Sequence, residues 1–436
     1  MADHLLQEVE MHGQKPVNGG APLPQVLAPA DGREVTVDEL VDWIKRDKSW
    51  IEEHLLHSGA VLIRGCDVKD AKDFNTVVEA FGYEERLYNG GLAPRTQVIG
   101  RIYTANEAPP HVYIPFHHEM AQPPTAPSKL FFFCELAPTK GGETPLLWSN
   151  SVVRRLQQEC PDFLQQLDEK GLIYQLYFGG EDLSESYIQR SWKTLYKVND
   201  REELEDKLAK MGGDSRVEWI EGHGVKTIYG PLPALKWDEQ RQQNVFFNYM
   251  VMKYFTEYPV LECDKEVAAF DNVMFGDGSP LPREQVLDCQ RIMAEEMVEF
   301  KWERGDVILI DNVAVQHSKN PCFSPRRILA SLVVSDRSQA PFATKYSTYL
   351  PQCFQGSVGE LYGTTTESVK MTSTPNDTVG KEFKVKFVDQ VPKVSLCNVL
   401  RLADMVFRQE AKSAPSSSNA SLPPVSGALQ WIDLQF

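Results

Sequence analysis

The sequence lacks a long apolar stretch and is short of positive charge. No run of about 18 apolar residues occurs, so the sequence offers no candidate transmembrane helix. Its 436 residues carry 45 Lys and Arg against 61 Asp and Glu, which gives a net charge of −16. Nucleic acids and anionic membranes bind basic surfaces, so we expect neither as a partner. The acidic start, MADHLLQEVEMHGQKP, has no apolar signal region, which predicts a cytoplasmic protein.

The eight cysteines show no paired spacing, because no two of them form a CxxC motif. Structural zinc sites are built from such pairs, so a cysteine-based zinc site is not expected. Several cysteines lie in apolar runs, as Cys134 does in KLFFFCELAP. This pattern predicts reduced, partly buried thiols.

Composition divides the chain into four segments. Residues 1–32 are rich in Gly and Pro and have little periodicity, which predicts a loose lead-in. Residues 33–335 carry the patterned, domain-like sequence. Residues 336–410 form an extension of uncertain structure, and residues 411–436 are a low-complexity tail that is expected to be disordered. No internal repeat is visible.

The domain segment predicts a mainly β protein with flanking helices. The periodicity of VDELVDWIKRDKSWIEEHLLHSG predicts a helix that is capped by Thr36 or Asp38 and ended by Gly59. From about residue 95, strand-like runs alternate with Pro- and Gly-rich turns and a few helices; the runs include KLFFFCELAP, NVFFNYMVMKYF, GDVILIDN and RRILASLVVS. This order favours an antiparallel sandwich or jelly roll decorated by helices.

The stretch IPFHHEM at 114–120 is a candidate metal site. In a strand, His117 and Glu119 would share one face and His118 would face the other. If Pro115 bends the strand, His118 would take the place of His117. His317, in GDVILIDNVAVQHSKN, is the candidate third ligand. Two His and one carboxylate form the facial triad typical of non-haem Fe(II) oxygenases, although an ordinary surface or core histidine is the alternative interpretation of His317.

Two further motifs suggest how a carboxylate could be bound. Arg326 and Arg327 open the otherwise apolar run RRILASLV, and a cation at the start of a core strand requires an anionic partner. Arginine binds carboxylates bidentately, so the partner could be a structural carboxylate or a dicarboxylate such as 2-oxoglutarate. Thr144, in GGETP, could donate a hydrogen bond to the same carboxylate, or could simply cap a turn.

Together these residues resemble a known family. The order His117-x-Glu119, GGET with Thr144, His317 and Arg327 resembles the taurine dioxygenase and clavaminate synthase-like family of Fe(II)- and 2-oxoglutarate-dependent oxygenases. Within it, the sequence most resembles the clavaminate synthase-like proteins of plants. The resemblance covers about residues 60–335 in order, through the stretches IPFHHEMAQ, PSKLFFFCE, GGETP, FGDGSPLP, RGDVILIDN and PRRILASL.

The resemblance implies a fold, a cofactor set and an activity. The fold would be a double-stranded β-helix, a jelly-roll core with flanking helices. His117, Glu119 and His317 would bind Fe(2+), and Arg327 would hold the distal carboxylate of 2-oxoglutarate with help from Thr144; Arg326 is the alternative to Arg327. With O2 as the second cosubstrate, a small organic substrate would be hydroxylated or similarly oxidised, with release of succinate and CO2.

The substrate itself is not specified by the sequence. Taurine dioxygenase holds its sulfonate with an arginine four residues after the clamp; here Ser331 stands at that position, so a sulfonate bound in this way is not expected. Weaker substrate-binding candidates are Arg95, Arg101, Tyr113 and Asn248. Two alternatives remain: a catalytically silent jelly-roll scaffold or metal-binding protein, and a Zn or Mn jelly-roll enzyme without a cosubstrate. The oligomeric state is open.

Overall fold

The computed structural model describes residues 5–86, 95–121, 126–182, 191–212, 214–220, 224–255 and 272–335. The segments 336–410 and 411–436, for which an extension and a disordered tail were predicted, lie outside the described residues.

Eight α-helices occur in the described part of the chain. They are α1 (Val37–Ser58), α2 (Ala71–Ala80), α3 (Ser149–Glu159), α4 (Pro161–Lys170), α5 (Trp192–Tyr196), α6 (Arg201–Met211), α7 (Met250–Phe255) and α8 (Arg283–Glu296).

Twenty short strands make up the rest of the regular structure in the same ranges. They are β1 (Leu6–Val9), β2 (Lys15–Val17), β3 (Ala21–Leu23), β4 (Gln25–Pro29), β5 (Ala60–Ile63), β6 (Glu84–Glu85), β7 (Gln97–Ile99), β8 (Ile102–Thr104), β9 (Ile114–His117), β10 (Lys129–Leu136), β11 (Leu146–Trp148), β12 (Leu172–Phe178), β13 (Arg216–Ile220), β14 (Gly224–Leu232), β15 (Lys236–Asp238), β16 (Gln243–Val245), β17 (Val273–Phe275), β18 (Val307–Asp311), β19 (Val315–Lys319) and β20 (Arg327–Val334). The fold is therefore mainly β with flanking helices, as the sequence predicted.

The largest sheet has nine strands in the order β1-β4-β5-β18-β10-β20-β8-β7, with β6 paired to β20. Its central strands β18, β10 and β20 are antiparallel and mostly apolar, because both faces of the sheet are covered. On one face, residues such as Phe131 and Leu309 pack against α1 and α2. On the other face, residues such as Phe132 and Ile308 join a second core with Trp148 of β11.

Helix α1 covers the first face, and its ends follow the predicted capping signals. Thr36 caps the N-terminus in a reciprocal capping box with Glu39, and Gly59 ends the helix at φ 73°. A Cβ on Gly59 would lie 2.5 Å from Val315 and 2.7 Å from Trp148, so both its backbone conformation and its surroundings require glycine.

A three-stranded sheet, β11-β19-β9, contributes to the second core. A third sheet, β13-β14-β12-β17, packs with α3, α4, α6 and α8 around a separate apolar cluster. The three-stranded sheet matters most for function, because it carries both candidate histidine ligands.

Two local predictions were wrong. Residues 1–32 are not a loose lead-in: β1 pairs with β4, β4 pairs in parallel with β5, and Leu6 and Leu27 are fully buried. The run NVFFNYMVMKYF is not a single strand, since β16 ends at Val245 and α7 begins at Met250. Strands β1–β4 have three to five residues each, which is too few to show a period in the sequence.

Within the described ranges, no helix is long and apolar enough to cross a membrane. The cysteines located there, Cys66, Cys134, Cys160, Cys289 and Cys322, are all free thiols.

A buried arginine joins the β15–β16 hairpin to the large sheet. Arg241 forms ion pairs of 2.8 Å with both Asp238 and Asp311, and its side chain is 1% exposed. It also donates to the carbonyl oxygens of Leu55 and Leu56 at the end of α1. The guanidinium therefore links three elements around the end of β18.

We expect Arg241→Met to lower the free energy of unfolding by about 3–5 kcal/mol, because Asp311 would remain buried without its arginine. The matched variant Lys210→Met removes a largely exposed pair with Asp206 and should cost less than about 1 kcal/mol. Urea unfolding followed by tryptophan fluorescence measures both. Equal losses for the two variants would contradict the role assigned to the buried pair.

Candidate functional site

Two histidines face each other across neighbouring strands. His317 of β19 lies opposite His117 of β9 in the antiparallel register, and their ring centroids are 4.4 Å apart. Both side chains are buried. Side chains directly opposite on one face of a sheet are close neighbours, so the strand pairing itself brings the two imidazoles together.

The carboxylate of Glu119 reaches the same place from a turn. Strand β9 ends at His117, so strand alternation is not what places Glu119, contrary to the reasoning from sequence. The buried amide of Asn312 holds the turn instead: its Oδ1 accepts from the Glu119 backbone N–H at 2.8 Å, and its Nδ2 donates to the Glu119 carbonyl at 3.0 Å. Glu119 Oε2 then lies 3.7 Å from His317 Nε2.

The three predicted ligands thus form one cluster. One ligand atom from each of His117, Glu119 and His317 lies within 4.8 Å of the others. Ligand atoms bound at about 2 Å to one metal are at most about 4 Å apart, so a small inward movement would bring all three into contact with a metal ion. The donor set of two imidazoles and one carboxylate suits Fe(II).

The protonation states of the histidines also suit a metal. Burial lowers the pKa of His117 and that of His317, so both rings are neutral near pH 7. His117 Nδ1 lies 2.8 Å from the Pro115 carbonyl, which can only accept. The proton is therefore on Nδ1, and Nε2 keeps its lone pair for a metal.

The alternative ligand, His118, faces away. Its Nδ1 lies 2.6 Å from the Asn312 carbonyl, and its Nε2 lies 2.9 Å from Ser149 Oγ. Its side chain is fully buried against Phe247, and burial lowers its pKa to about 3. Both ring nitrogens are occupied by these contacts, so the structure brings His117 rather than His118 to the cluster.

One predicted substrate residue also lies at the cluster. Arg95 forms a 2.8 Å ion pair with Glu119, and both side chains are buried. Its positive charge further lowers the pKa of His117 and of His317. Arg95 is therefore in contact with a candidate metal ligand.

A second polar group, beside the cluster, contains Thr144. The Thr144 hydroxyl oxygen accepts from Arg326 and from the indole N–H of Trp302, each at 3.1 Å. Arg326 Nε also donates to the Gly142 carbonyl at 2.7 Å. Burial lowers the pKa of Arg326 to about 10, so the guanidinium remains charged at neutral pH. Within the described residues it forms no ion pair with a carboxylate, which suits a site for an anion.

Arg327, which was expected to hold a carboxylate together with Thr144, does not lie beside Thr144. Arg327 forms a 2.8 Å ion pair with Glu135, and its side chain is 52% exposed. Consecutive residues entering a strand face opposite sides, so only one of the two arginines can reach Thr144. That residue is Arg326, which the sequence offered as the alternative to Arg327. The side chain of Arg327 lies on the opposite face of the strand, toward solvent.

The other substrate candidates have structural contacts. Arg101 donates to the Tyr83 carbonyl at 2.9 Å, away from the cluster. Asn248 is buried between backbone groups: it donates to the Ala234 carbonyl and accepts from the N–H of Met250 at the start of α7. Tyr113 lies immediately before β9 and is half-buried. The structure thus brings Arg95, but not Arg101, to the metal-ligand cluster.

Sequence reasoning missed four residues around the site. They are Asn312, Trp302, Tyr249, whose ring lies edge-on to His117 at 5.4 Å, and Lys319 of β19. Asn312 had a visible signal, since it is a polar residue at the end of the apolar run VILID. Lys319 had one as well, because it lies two residues after His317 on the same strand.

Known proteins are similar to this chain in sequence. The family profile "Taurine catabolism dioxygenase TauD, TfdA family" matches residues 20–332. A clavaminate synthase-like protein of Arabidopsis thaliana is 46% identical over 336 residues, which is 76% of this chain and 99% of that protein. The dapdiamide synthesis protein DdaC of Enterobacter agglomerans is 26% identical over 326 residues, covering 73% of this chain and 93% of that protein.

Solved structures are more distant. The PvcB protein of Pseudomonas aeruginosa has a TM-score of 0.43 at 14% identity, over 77% of this chain and 93% of that one. A taurine dioxygenase of Burkholderia xenovorans has a TM-score of 0.40 at 15% identity, over 76% of this chain and 90% of that one. The family profile and the Arabidopsis protein show the family: the chain belongs to the TauD/TfdA family of Fe(II)- and 2-oxoglutarate-dependent dioxygenases, as its motifs predicted.

Proposed function

We propose that this dioxygenase oxidises a C–H bond of a small organic molecule, with Fe(II) held by His117, Glu119 and His317 and with 2-oxoglutarate held by Arg326 and Thr144. The observation that carries the proposal is the convergence of the three ligands from distant parts of the sequence. The half-buried Arg326, which donates to Thr144 and has no carboxylate ion pair among the described residues, supports the 2-oxoglutarate site.

Bound together, Fe(II), 2-oxoglutarate and O2 supply the oxidising chemistry, in which one oxygen atom enters the succinate formed with CO2 and the other enters the substrate. The protein residues bind and orient. His117, Glu119 and His317 would hold the metal and leave room on it for the cosubstrate and O2. The buried, neutral imidazoles of His117 and His317 require no proton release before they bind a metal.

Arg326 would orient the cosubstrate. Its guanidinium is fixed by the Gly142 carbonyl and by Thr144, so little side-chain entropy is lost when a carboxylate binds. Trp302 donates to the same hydroxyl and fixes its oxygen from the other side. A carboxylate bound here would neutralise the charge of Arg326, and an enclosed charge without a partner is costly.

A jelly-roll arrangement of the sheets would suit the same function. We assign the large sheet and the β11-β19-β9 sheet to the two walls of a jelly roll, with their shared apolar cluster as its interior. The ligands would then lie at the mouth of the barrel, where such folds bind small molecules.

Arg95 stays the proposed substrate contact, supported by its ion pair with Glu119. Ser331 is fully buried in β20 opposite Phe131, and the residue four positions after Arg326 is Ala330. Neither side chain can form an ion pair with a sulfonate. This supports a substrate that is not bound through a sulfonate in the way that taurine is. Cytoplasmic location and the absence of a nucleic-acid partner stay predictions, and a catalytically silent metal-binding protein is the alternative function.

The metal site is tested by spectroscopy without O2. We expect Fe(II) and 2-oxoglutarate together to give a weak visible charge-transfer band in the wild type. His317→Ala should abolish the band because one ligand is lost, whereas His111→Ala, at an exposed histidine, should retain it. A band that survives in His317→Ala would refute the triad, and its absence from iron-loaded wild type would refute the function.

The two arginines provide a matched test of the clamp. Arg326→Met should weaken 2-oxoglutarate binding about 30-fold or more, because a buried charge pair is worth at least about 2 kcal/mol. Arg327→Met should change it less than about twofold, since that residue pairs with Glu135 on the surface. Calorimetric titration of the Mn(II)-loaded protein measures both, and a reversed order would assign the clamp to Arg327.

A further inference from the structure

Lys319 lies on the same sheet face as the two histidine ligands. In the β11-β19-β9 sheet, Leu146 is opposite His317, and the ladder continues past the end of β11. The backbone N–H of Ser318 donates to the Pro145 carbonyl at 3.0 Å, and that of Asn320 donates to the Glu143 carbonyl at 3.1 Å.

This register sets Lys319 opposite Thr144. The residues between those two hydrogen-bonded positions form a close, non-hydrogen-bonded pair whose side chains share one face. His317 lies two residues earlier on β19, on the same face and about 7 Å away along the strand. Lys319 is therefore beside Thr144 and two residues from His317, on the sheet face that carries the candidate histidine ligands.

A bound dicarboxylate would have to cross this position. With its keto-acid end at His117, Glu119 and His317 and its distal carboxylate at Arg326, 2-oxoglutarate would extend past Lys319. The lysine side chain is buried, so its charge is little screened by bulk water.

The charge of Lys319 has no carboxylate partner in the described part of the chain. Its Nζ donates to the carbonyl oxygens of Pro110 at 2.9 Å and Val112 at 2.8 Å, which are neutral acceptors. A lysine has three N–H donors, so one is left for a ligand. The half-buried Arg326 donates to Thr144, the residue opposite Lys319, so a second cation lies nearby. Two cations in proximity disfavour each other until an anion binds.

Few acidic groups offset these two charges. Among carboxylates, Glu143 acts electrostatically on Arg326, but it is only half-buried and is hydrogen-bonded to Asn320. Within the described residues, Lys319 is bonded to backbone carbonyls and not to a carboxylate. The pocket therefore has an excess of positive charge in its buried part.

We propose that Lys319 is a second cation of the 2-oxoglutarate pocket and that it makes the enzyme prefer 2-oxo acids with a distal carboxylate. The proposal rests on the proposed function, because it assumes that 2-oxoglutarate lies between the metal cluster and Arg326. The competing explanation is a purely structural one, in which Lys319 only ties residues 110–112 to β19.

A pair of ligands separates these explanations. 2-Oxoglutarate and 2-oxopentanoate have the same five-carbon chain, but the second has a methyl group in place of the distal carboxylate. We expect Lys319→Met to weaken 2-oxoglutarate binding about 10-fold or more and to leave 2-oxopentanoate binding within about twofold. Calorimetry on the Mn(II)-loaded full-length protein gives both dissociation constants without turnover.

Two further variants complete the test. Lys319→Gln keeps N–H donors for the Pro110 and Val112 carbonyls and loses the charge, so it should behave as Lys319→Met does. Lys129→Met neutralises another largely buried lysine, on β10, and should change neither constant. An equal loss for both ligands in Lys319→Met, or full 2-oxoglutarate affinity in Lys319→Gln, would overturn the proposal. If the wild type itself binds no 2-oxoglutarate, the proposed function fails instead.

Discussion

The candidate site depends on one buried asparagine. Asn312 follows β18, the strand between β5 and β10 in the large sheet, and is fully buried. Its amide accepts from the backbone N–H of Glu119 and donates to the carbonyls of Glu119 and Pro127. Its own carbonyl contacts His118. An amide can donate and accept at once, whereas a carboxylate or an aliphatic side chain would leave a buried backbone group unsatisfied. Asn312 therefore fixes the turn that carries Glu119, the candidate carboxylate ligand, and holds His118 away from the cluster.

That constraint is coupled to the stability of the fold. Asp311, next to Asn312, is held by Arg241, which also contacts the end of α1 through Leu55 and Leu56. The end of β18 is thus fixed by an ion pair on one residue and by amide hydrogen bonds on the next. Such buried polar networks are costly unless all their members are satisfied. The position of Glu119 is accordingly determined by the packing of the hairpin, the helix and the sheet together.

The sequence predicted the parts of this structure that depend on pattern. Helix α1 carries its capping residues and period in its own sequence, and VILID is apolar because both faces of β18 are covered. The candidate ligands His117, Glu119 and His317 could be predicted by residue type and by resemblance, and the structure brings them together. Other features depend on contacts that a single segment does not encode. The choice between Arg326 and Arg327 reverses with a one-residue change in register. Helix α7 has six residues, too few for a helical period, and its first N–H is satisfied by Asn248. The strands of residues 6–29 form because the edge of a distant sheet is available to them.

In the proposed function, the same three-stranded sheet would set the direction in which a cosubstrate binds. At one end of its face lie the neutral imidazoles of His117 and His317 and the carboxylate of Glu119, whose charge is paired with Arg95. At the other end lie the proposed cosubstrate cations, the half-buried Arg326 and the buried Lys319. A metal ion would bind the donor atoms at the first end, and an anion at the second would neutralise cations that are costly to enclose. A ligand with a metal-chelating head and an anionic tail satisfies both ends in one orientation only. The alternation of side chains along β19 is what puts His317 and Lys319 on one face, so the polarity of the site follows from the pairing of its strands.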